Sequence, residues 1–167
     1  MGWFTRWFGT RYYSLLYGHR DAGEALAWVE AILGRWELGV GAEVLDLACG
    51  RGRHTRLFAD RGMKMTGVDI SRTSIEEARK QVPEASLFVH DMREPLAENA
   101  FDAACCLFTS LGYFDDREDD HRVFRAVFGC LRPGGRFVVD FMNTERVLRE
   151  LVPEEKLVRE GVTFEIT

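Results

Sequence analysis

The sequence predicts an α/β fold with a doubly wound, mainly parallel sheet and helices on both of its faces. After residue 43, short apolar runs alternate with segments whose apolar residues recur at helical spacing, a pattern typical of βαβ units. The run Phe101–Phe108 is almost continuously apolar, as expected for a central parallel strand. Acidic residues also stand at the ends of three successive predicted strands, the edge where open α/β sheets bind ligands.

Five strands can be placed in order along the chain. They are Glu43–Ala48, Lys64–Asp69, Ala85–His90, Phe101–Phe108 and Arg136–Met142. A helix is expected over Arg53–Arg61. The next helix begins at Ser71 or Thr73 and ends at Pro83. Its predicted inward face is Ile75, Ala78 and Val82. A later helix carries Val123, Phe124, Val127, Phe128 and Leu131, and the turn Leu131–Gly135 leads into the fifth strand.

The chain divides into an N-terminal part, residues 1–42, and a core, residues 43–167. A helix opening near Asp21 is expected in the first part, with an inward face made of Ala25, Leu26, Trp28, Val29, Ile32 and Leu33. Upstream of it, residues 3–17 are dense in aromatic side chains. These rings either fill space at the edge of the sheet or form a lid over a bound ligand, and the sequence leaves both interpretations open.

Composition narrows the class of protein. The 167 residues lie within the range of one domain. The 22 basic and 27 acidic residues give a net charge of −5, which disfavours a general nucleic-acid binder. No apolar run reaches the length of a membrane span. The four cysteines include no C-x-x-C pair, so we expect free thiols, no metal site and a reducing, cytoplasmic environment.

The most informative motif is Asp46-x-Ala48-x-Gly50-x-Gly52, which joins the first strand to the following helix. Glycine lets the backbone approach a ligand closely, and a carboxylate before the glycines suits a cationic or hydroxyl-rich ligand. A nicotinamide-binding loop requires a third small residue, but Thr55 stands there. A P-loop requires Gly-Lys-Ser or Gly-Lys-Thr, which is absent. An ordinary strand-to-helix turn remains the simplest alternative for this motif taken alone.

This motif resembles the first motif of class I S-adenosylmethionine (SAM) methyltransferases, which have a Rossmann-like fold. The segment from Phe101 to Phe114 is similar to the fourth motif and following loop of a bacterial, small-molecule branch of that family. Leu131–Phe137 is similar to the turn after the core, and Tyr17-Gly-His-Arg-Asp21 to the N-terminal signature of the same branch. The resemblance covers about residues 12–150. The family often has glycine where this chain has Ala48.

The chemistry of the strand-end acids agrees with that resemblance. Asp69 can accept hydrogen bonds from both ribose hydroxyls. The resemblance implies that Asp91 accepts from the adenine amino group, that Ile70 and Met92 enclose the adenine ring, and that Asp46 helps to hold the amino-acid end. It also implies that Tyr17 and Arg20 lie over the cofactor. The expected cofactor-binding residues are Tyr17, Arg20, Asp46, Ala48, Cys49, Gly50, Gly52, Asp69, Ile70, Asp91, Met92 and Phe108.

The resemblance implies methyl transfer from SAM to a nitrogen, oxygen or carbon atom of a small molecule. The Asn/Asp-Pro-Pro-Tyr signature of amino-directed DNA and protein methylation is absent, and Leu107–Ser110 stands in its place. The candidates for a general base are His19, His54, Tyr13 and Tyr113, and none is assigned. Two alternatives are a non-catalytic binder of SAM or S-adenosylhomocysteine, and a nicotinamide oxidoreductase, which Thr55 disfavours.

The C-terminal part predicts an incomplete version of this fold. Class I methyltransferases have seven strands, whereas this chain supplies five by about residue 142. A short helix is expected near Thr144–Leu151, followed by one strand-like run at Leu157–Thr167. We therefore expect a C-terminally truncated chain without the closing edge of the sheet. An exposed edge strand can pair with a second copy, so a homodimer is a further expectation.

Overall fold

The computed structural model describes residues 2–17 and 22–166 and confirms the predicted α/β class. Five parallel strands form one sheet in the order β3-β2-β1-β4-β5. The strands of this sheet are β1 (Glu43–Leu47), β2 (Lys64–Asp69), β3 (Ser86–Val89), β4 (Phe101–Cys106) and β5 (Leu131–Val139). The helices are α1 (Phe4–Trp7), α2 (Arg11–Tyr17), α3 (Ala22–Trp36), α4 (Arg53–Ala59), α5 (Arg72–Gln81), α6 (Arg117–Cys130) and α7 (Thr144–Glu150).

The sheet separates two apolar layers. Alternate residues of a strand point to opposite faces, so Cys105 packs with α3 and α4 whereas Cys106 packs with α6. On the first face Trp36 and Phe58 stack with ring centroids 5.6 Å apart. On the other face Val123 and Val127 of α6 pack against β1 and β4. This double layer fixes the strand ends at which the sequence places its acids.

Helix α5 illustrates how local sequence sets an element. Ser71 is its N-cap and accepts a hydrogen bond from the backbone N–H of Ser74, which satisfies one of the free amides of the first turn. The predicted inward residues Ile75, Ala78 and Val82 are all fully buried. Ser71, rather than Thr73, therefore starts the helix.

Several predicted bounds are wrong, each for a local reason. The first strand ends at Leu47, since Ala48 already has a φ of 53°. The third and fourth strands are also shorter than predicted, ending at Val89 and Cys106, and the first core helix ends at Ala59. The fifth strand already begins at Leu131, because the Pro-Gly-Gly segment is accommodated as an irregularity in its pairing with β4.

The ends of the chain also differ from expectation. In α3, Leu26 and Trp28 are exposed rather than inward. Instead of one strand-like run, residues 155–166 form a hairpin of β6 (Glu155–Arg159) and β7 (Val162–Ile166). Its two-residue turn has positive φ at both positions, the geometry that matches the twist of paired strands. The hairpin is a separate two-stranded sheet. No helix in the described ranges has the length and apolar character needed to cross a membrane.

Candidate functional site

The candidate site is a cavity of about 420 Å³ at the carboxyl ends of the parallel strands. The chain reverses its direction across the sheet between β1 and β4, and such a switch point is where open α/β sheets form a ligand crevice. Loops that follow β1, β2, β3 and β4 contribute to its wall, and so do the two N-terminal helices. The volume lies in the range typical of small-molecule sites.

Ten of the predicted cofactor-binding residues line this cavity. They are Tyr17, Asp46, Ala48, Cys49, Gly50, Asp69, Ile70, Asp91, Met92 and Phe108. Gly52 does not line it. With a φ of 84°, Gly52 lies so close to α5 that an added Cβ would come within 3.2 Å of Ala78 and 3.3 Å of Val82, so it permits tight helix packing. Arg20 lies outside the described residues, as does His19 among the candidate bases.

Asp46 is the most deeply buried acid of the site, with 2% of its surface exposed. Its carboxylate accepts a hydrogen bond from the Thr55 hydroxyl at 2.6 Å and contacts the Cys105 thiol at 3.6 Å. Burial raises the pKa of Asp46 to about 6, although these two contacts favour the charged form. A positively charged group entering the cavity would favour the ionised carboxylate.

Asp69 joins two loops at the end of β2. One carboxylate oxygen accepts from the backbone N–H of Gly50 at 2.9 Å, and the other accepts from that of Ser71 at 2.8 Å. Burial raises the pKa of Asp69, and the two backbone bonds oppose that shift. Because each carboxylate oxygen can accept more than one hydrogen bond, Asp69 retains capacity for two donors of a ligand.

Asp91 is held by an arginine that sequence reasoning missed. Arg93 binds its carboxylate through Nε and Nη2, with a shortest distance of 2.6 Å, and also pairs with Asp119 of α6. Hydrogen bonding from Arg93 lowers the pKa of Asp91. The Arg93 guanidinium lies 5.0 Å from the centre of the Phe114 ring. Asp91 is therefore held as an ionised hydrogen-bond acceptor at the cavity wall.

Seven aromatic rings form part of the cavity wall. We call this set the aromatic cluster: Phe4, Phe8, Tyr13, Tyr17, Phe108, Tyr113 and Phe114. The Phe8 ring meets Tyr13 and Tyr113 edge-to-face, with centroids 5.0 and 5.2 Å away. Four of these rings, those of Phe4, Phe8, Tyr13 and Tyr17, come from the N-terminal segment.

The loop after β4 carries an unusual backbone. Phe108 and Thr109 both have positive φ, 64° and 52°, a conformation that costs energy for residues other than glycine. The backbone N–H of Phe108 donates to the Asp140 carboxylate at 2.9 Å. Asp140 follows β5, so the end of that strand holds the loop that presents Phe108 to the cavity.

His54, a candidate base, lines the cavity and is neutral at pH 7. Burial and, to a smaller degree, the charge of Arg53 lower its pKa to about 4. Tyr13 and Tyr113, the other candidates among the described residues, have pKa values raised by burial. Among the described residues there is no group of three or more histidine, cysteine and acidic side chains that could hold a metal ion.

The lowered pKa of His54 leads to a prediction about how the free energy of unfolding depends on pH. Between its ordinary value of 6.5 and about 4, the unfolded chain binds a proton at this side chain and the folded chain does not. Stability from this group is therefore lost as the pH falls through that window. In urea denaturation we expect the free energy of unfolding of His54→Gln, relative to wild type, to rise by about 2–3 kcal/mol from about pH 7.5 to about pH 4.

Asp46 titrates in the opposite direction, but it does so in both wild type and His54→Gln, so its effect cancels in the difference between their free energies of unfolding. A difference that is the same at every pH does not bear on the prediction, which concerns only how the difference changes with pH. An unchanged difference across the pH range would show that His54 is accessible to protons in the folded chain.

Sequence reasoning missed Arg53 as a cavity residue and Arg93 as the partner of the cavity acid Asp91. The spacing of Asp91 and Arg93 was a usable signal, because an acid and an arginine two residues apart after a strand can pair within one turn. For Arg53, its position directly after Gly52 was the available signal, since a residue opening α4 lies beside the loop that lines the site.

Comparison with known proteins identifies relatives of this chain. Residues 44–135 match the family model described as "Methyltransferase domain". The YqeM protein of Bacillus subtilis (strain 168) is 32% identical over 146 residues, which cover 85% of this chain and 57% of that protein. A dTDP-3-amino-3,4,6-trideoxy-alpha-D-glucopyranose N,N-dimethyltransferase of Streptomyces venezuelae is 32% identical over 99 residues, 59% of this chain and 42% of that enzyme.

A solved structure has the same fold. The SAM-bound structure of CalS10, an amino pentose methyltransferase from Micromonospora echinaspora, has a TM-score of 0.73 and 26% identity, over 93% of this chain and 67% of that one. The chain thus spans about half the length of the two sequence relatives described above. The matched region contains the loop after β1 and the strand-end acids of the cavity.

Proposed function

Because this chain belongs to the methyltransferase domain family, as its motifs indicated, we propose that it is a SAM-dependent methyltransferase acting on a nitrogen, oxygen or carbon atom of a small molecule. The observation that carries this proposal is the pairing of Asp69 with the backbone N–H of Gly50 at the switch point of the sheet. This contact places a hydroxyl-binding carboxylate beside a loop that a ligand can approach closely.

The residues present fit SAM. Space above Gly50 is open, since a Cβ built there meets nothing within 4 Å. In our proposal Asp69 accepts from the ribose hydroxyls, and Asp91, kept ionised by Arg93, accepts from the adenine amino group. Ile70 and Met92 provide apolar surface for the adenine ring, and Asp46 supplies negative charge for the cationic end.

When bound, SAM supplies a methyl group on a positively charged sulfur, which is already electrophilic. The protein therefore chiefly has to align the acceptor and exclude water. The aromatic cluster provides apolar surface for both tasks. We assign no general base: His54, Tyr13 and Tyr113 are the candidates within the described cavity wall, and a neutral imidazole at His54 is able to accept a proton.

The acceptor class follows from the same cavity and from the relatives. A cavity of about 420 Å³ suits a small molecule next to the cofactor rather than a nucleic-acid helix. The Streptomyces relative carries the name of an amino-sugar N,N-dimethyltransferase, and CalS10 that of an amino pentose methyltransferase. Amines on small molecules are therefore the first acceptors to screen.

The proposal is tested by calorimetric titration with S-adenosylhomocysteine, with NAD as the control ligand. We expect saturable binding of S-adenosylhomocysteine with one site per chain and no binding of NAD, because the loop after β1 lacks the third small residue that NAD-binding loops use. A folded protein that binds neither ligand, or NAD alone, would contradict the proposal.

The main alternative is a non-catalytic binder of SAM or S-adenosylhomocysteine. Binding of S-adenosylhomocysteine without methyl transfer to any amine, hydroxyl or carbon acceptor of a broad panel favours this alternative over the enzyme.

We further propose that residues 1–42 act as a lid over the core formed by residues 43–167, that the protein is cytoplasmic, and that it forms homodimers. Sedimentation velocity tests the last of these.

A further inference from the structure

We propose that Arg53, together with the hydroxyls of Tyr13 and Tyr113, binds a carboxylate or phosphate group of the methyl acceptor. This inference rests on the proposed function and makes it more specific. The acceptor would be a small molecule that carries an oxyanion as well as the atom to be methylated.

Arg53 is a half-buried residue at the start of α4 that lines the cavity. Its guanidinium lies 5.0 Å from the centre of the Phe108 ring. Two other arginines near the site have acidic partners: Arg51, which lines the cavity, pairs with Glu77 at 2.9 Å, and Arg93, which lies behind the cavity acid Asp91, pairs with Asp91 and Asp119. Within residues 2–17 and 22–166, no carboxylate forms an ion pair with Arg53. Its donors therefore remain available for a ligand.

The chemistry of a guanidinium selects the ligand class. Its planar set of N–H donors matches the two oxygens of a carboxylate or phosphate, and such paired, charge-assisted hydrogen bonds are among the strongest in proteins. Contact with an aromatic face leaves the edge of the guanidinium free to donate. The Phe108 ring thus orients Arg53 without consuming its hydrogen bonds.

Two tyrosines that line the same cavity as Arg53 add uncharged donors. Tyr13 and Tyr113 both pack against Phe8. Burial raises the pKa of each phenol, and the positive charge of Arg53 acts in the opposite direction on Tyr13, so the two groups lie within electrostatic range. In the described part of the chain neither hydroxyl has a protein hydrogen-bond partner. Neutral phenols can donate to an oxyanion.

The carboxylates that line the cavity come from the carboxyl ends of the strands. Asp46, Asp69 and Asp91 lie at or just after those ends. Asp69 also acts on the pKa of Tyr13, so Tyr13 lies within electrostatic range of both that acid and Arg53. Because Arg53 and the acids line one cavity, an oxyanion bound by Arg53 would lie in the same cavity as the proposed cofactor.

The test is a titration of the protein with sodium phosphate in the presence of saturating S-adenosylhomocysteine, with sodium chloride at matched ionic strength as reference. Tryptophan fluorescence reports binding, because Trp7 packs against Tyr13 with ring centroids 6.3 Å apart. We expect saturable binding to wild type, weakened about tenfold or more in Arg53→Met. Arg56→Met is the matched control, since Arg56 lies on the same helix, is exposed and pairs with Asp60.

Each other outcome overturns the proposal. The alternative source of the oxyanion is the carboxylate of the cofactor itself. In that case phosphate binds only in the absence of S-adenosylhomocysteine. Arg53→Met then weakens the binding of S-adenosylhomocysteine but not that of 5′-methylthioadenosine, which lacks the amino-acid part. An absence of phosphate binding, or equal binding by both variants, also rules out the acceptor site. Failure of the proposed function is distinguishable, because it appears as no binding of S-adenosylhomocysteine to folded wild type.

Discussion

Replacing Asp69 by alanine is expected to lower the affinity for S-adenosylhomocysteine by about a hundredfold or more. Hydrogen bonds to a charged group contribute about 1.5–3 kcal/mol each, and the variant loses two such bonds to the ribose. It also releases the backbone N–H groups of Gly50 and Ser71, which the carboxylate holds at 2.9 and 2.8 Å, so the loops of the site are less ordered. Calorimetric titration measures the loss.

The fold should tolerate this change, because Asp69 lies at the cavity wall and is only partly buried. Thermal denaturation monitored by circular dichroism establishes that the variant is folded. Asp60→Asn removes a carboxylate from the exposed end of α4 and is expected to bind like wild type. Undiminished affinity in a folded Asp69→Ala protein would exclude Asp69 from the binding site.

Replacing Phe58 by alanine is expected to lower the free energy of unfolding by about 3–5 kcal/mol. The Phe58 side chain is fully buried between α3 and the sheet, and its ring stacks on Trp36 at an interplanar angle of 19°. Removal of the ring leaves a cavity between two helices and the sheet that only large movements could fill. Because domains are stable by about 5–15 kcal/mol in total, the variant should approach instability at moderate temperature.

Urea denaturation of wild type and variant measures the difference. Phe128→Ala is the control, since this ring on α6 is 83% exposed and its removal should change the free energy of unfolding by about 0.5 kcal/mol or less. A similarly small loss for Phe58→Ala would mean that α3 and α4 repack around the missing ring.

The core of the fold follows from the sequence because its local and global signals agree. Lys64–Asp69 is a strand with the bounds that its apolar pattern predicts, and the buried face of α5 is the one that its spacing predicts. Where several signals compete, the sequence is insufficient. Leu26 and Trp28 are apolar residues of α3 that point outward, because a helix can bury only one stripe and Ala25, Val29 and Ile32 occupy it.

The sequence predicts the site to about the same extent as it predicts the fold. The strand-end acids follow from one topological rule, and Asp46, Asp69 and Asp91 line one cavity as expected. The partners of these acids do not follow from it. That Arg93 binds Asp91 and also Asp119, twenty-six residues away, depends on how α6 docks, which no periodicity encodes. By contrast, the turn of the β6–β7 hairpin could have been predicted, because Glu160-Gly161 carries the glycine that two-residue hairpin turns favour.

The strand-end acids and much of the aromatic cluster come from different parts of the chain, which has a consequence for how this protein can change over time. Contacts proposed for the cofactor come from the loops after β1, β2 and β3, whose positions the whole sheet fixes. Four of the seven rings of the aromatic cluster, Phe4, Phe8, Tyr13 and Tyr17, come from the N-terminal segment outside the sheet. In the function that we propose, substitutions in this segment would reshape the part of the cavity that receives the acceptor without disturbing the sheet. New acceptors would then be accessible by few mutations, while the methyl donor would remain the same.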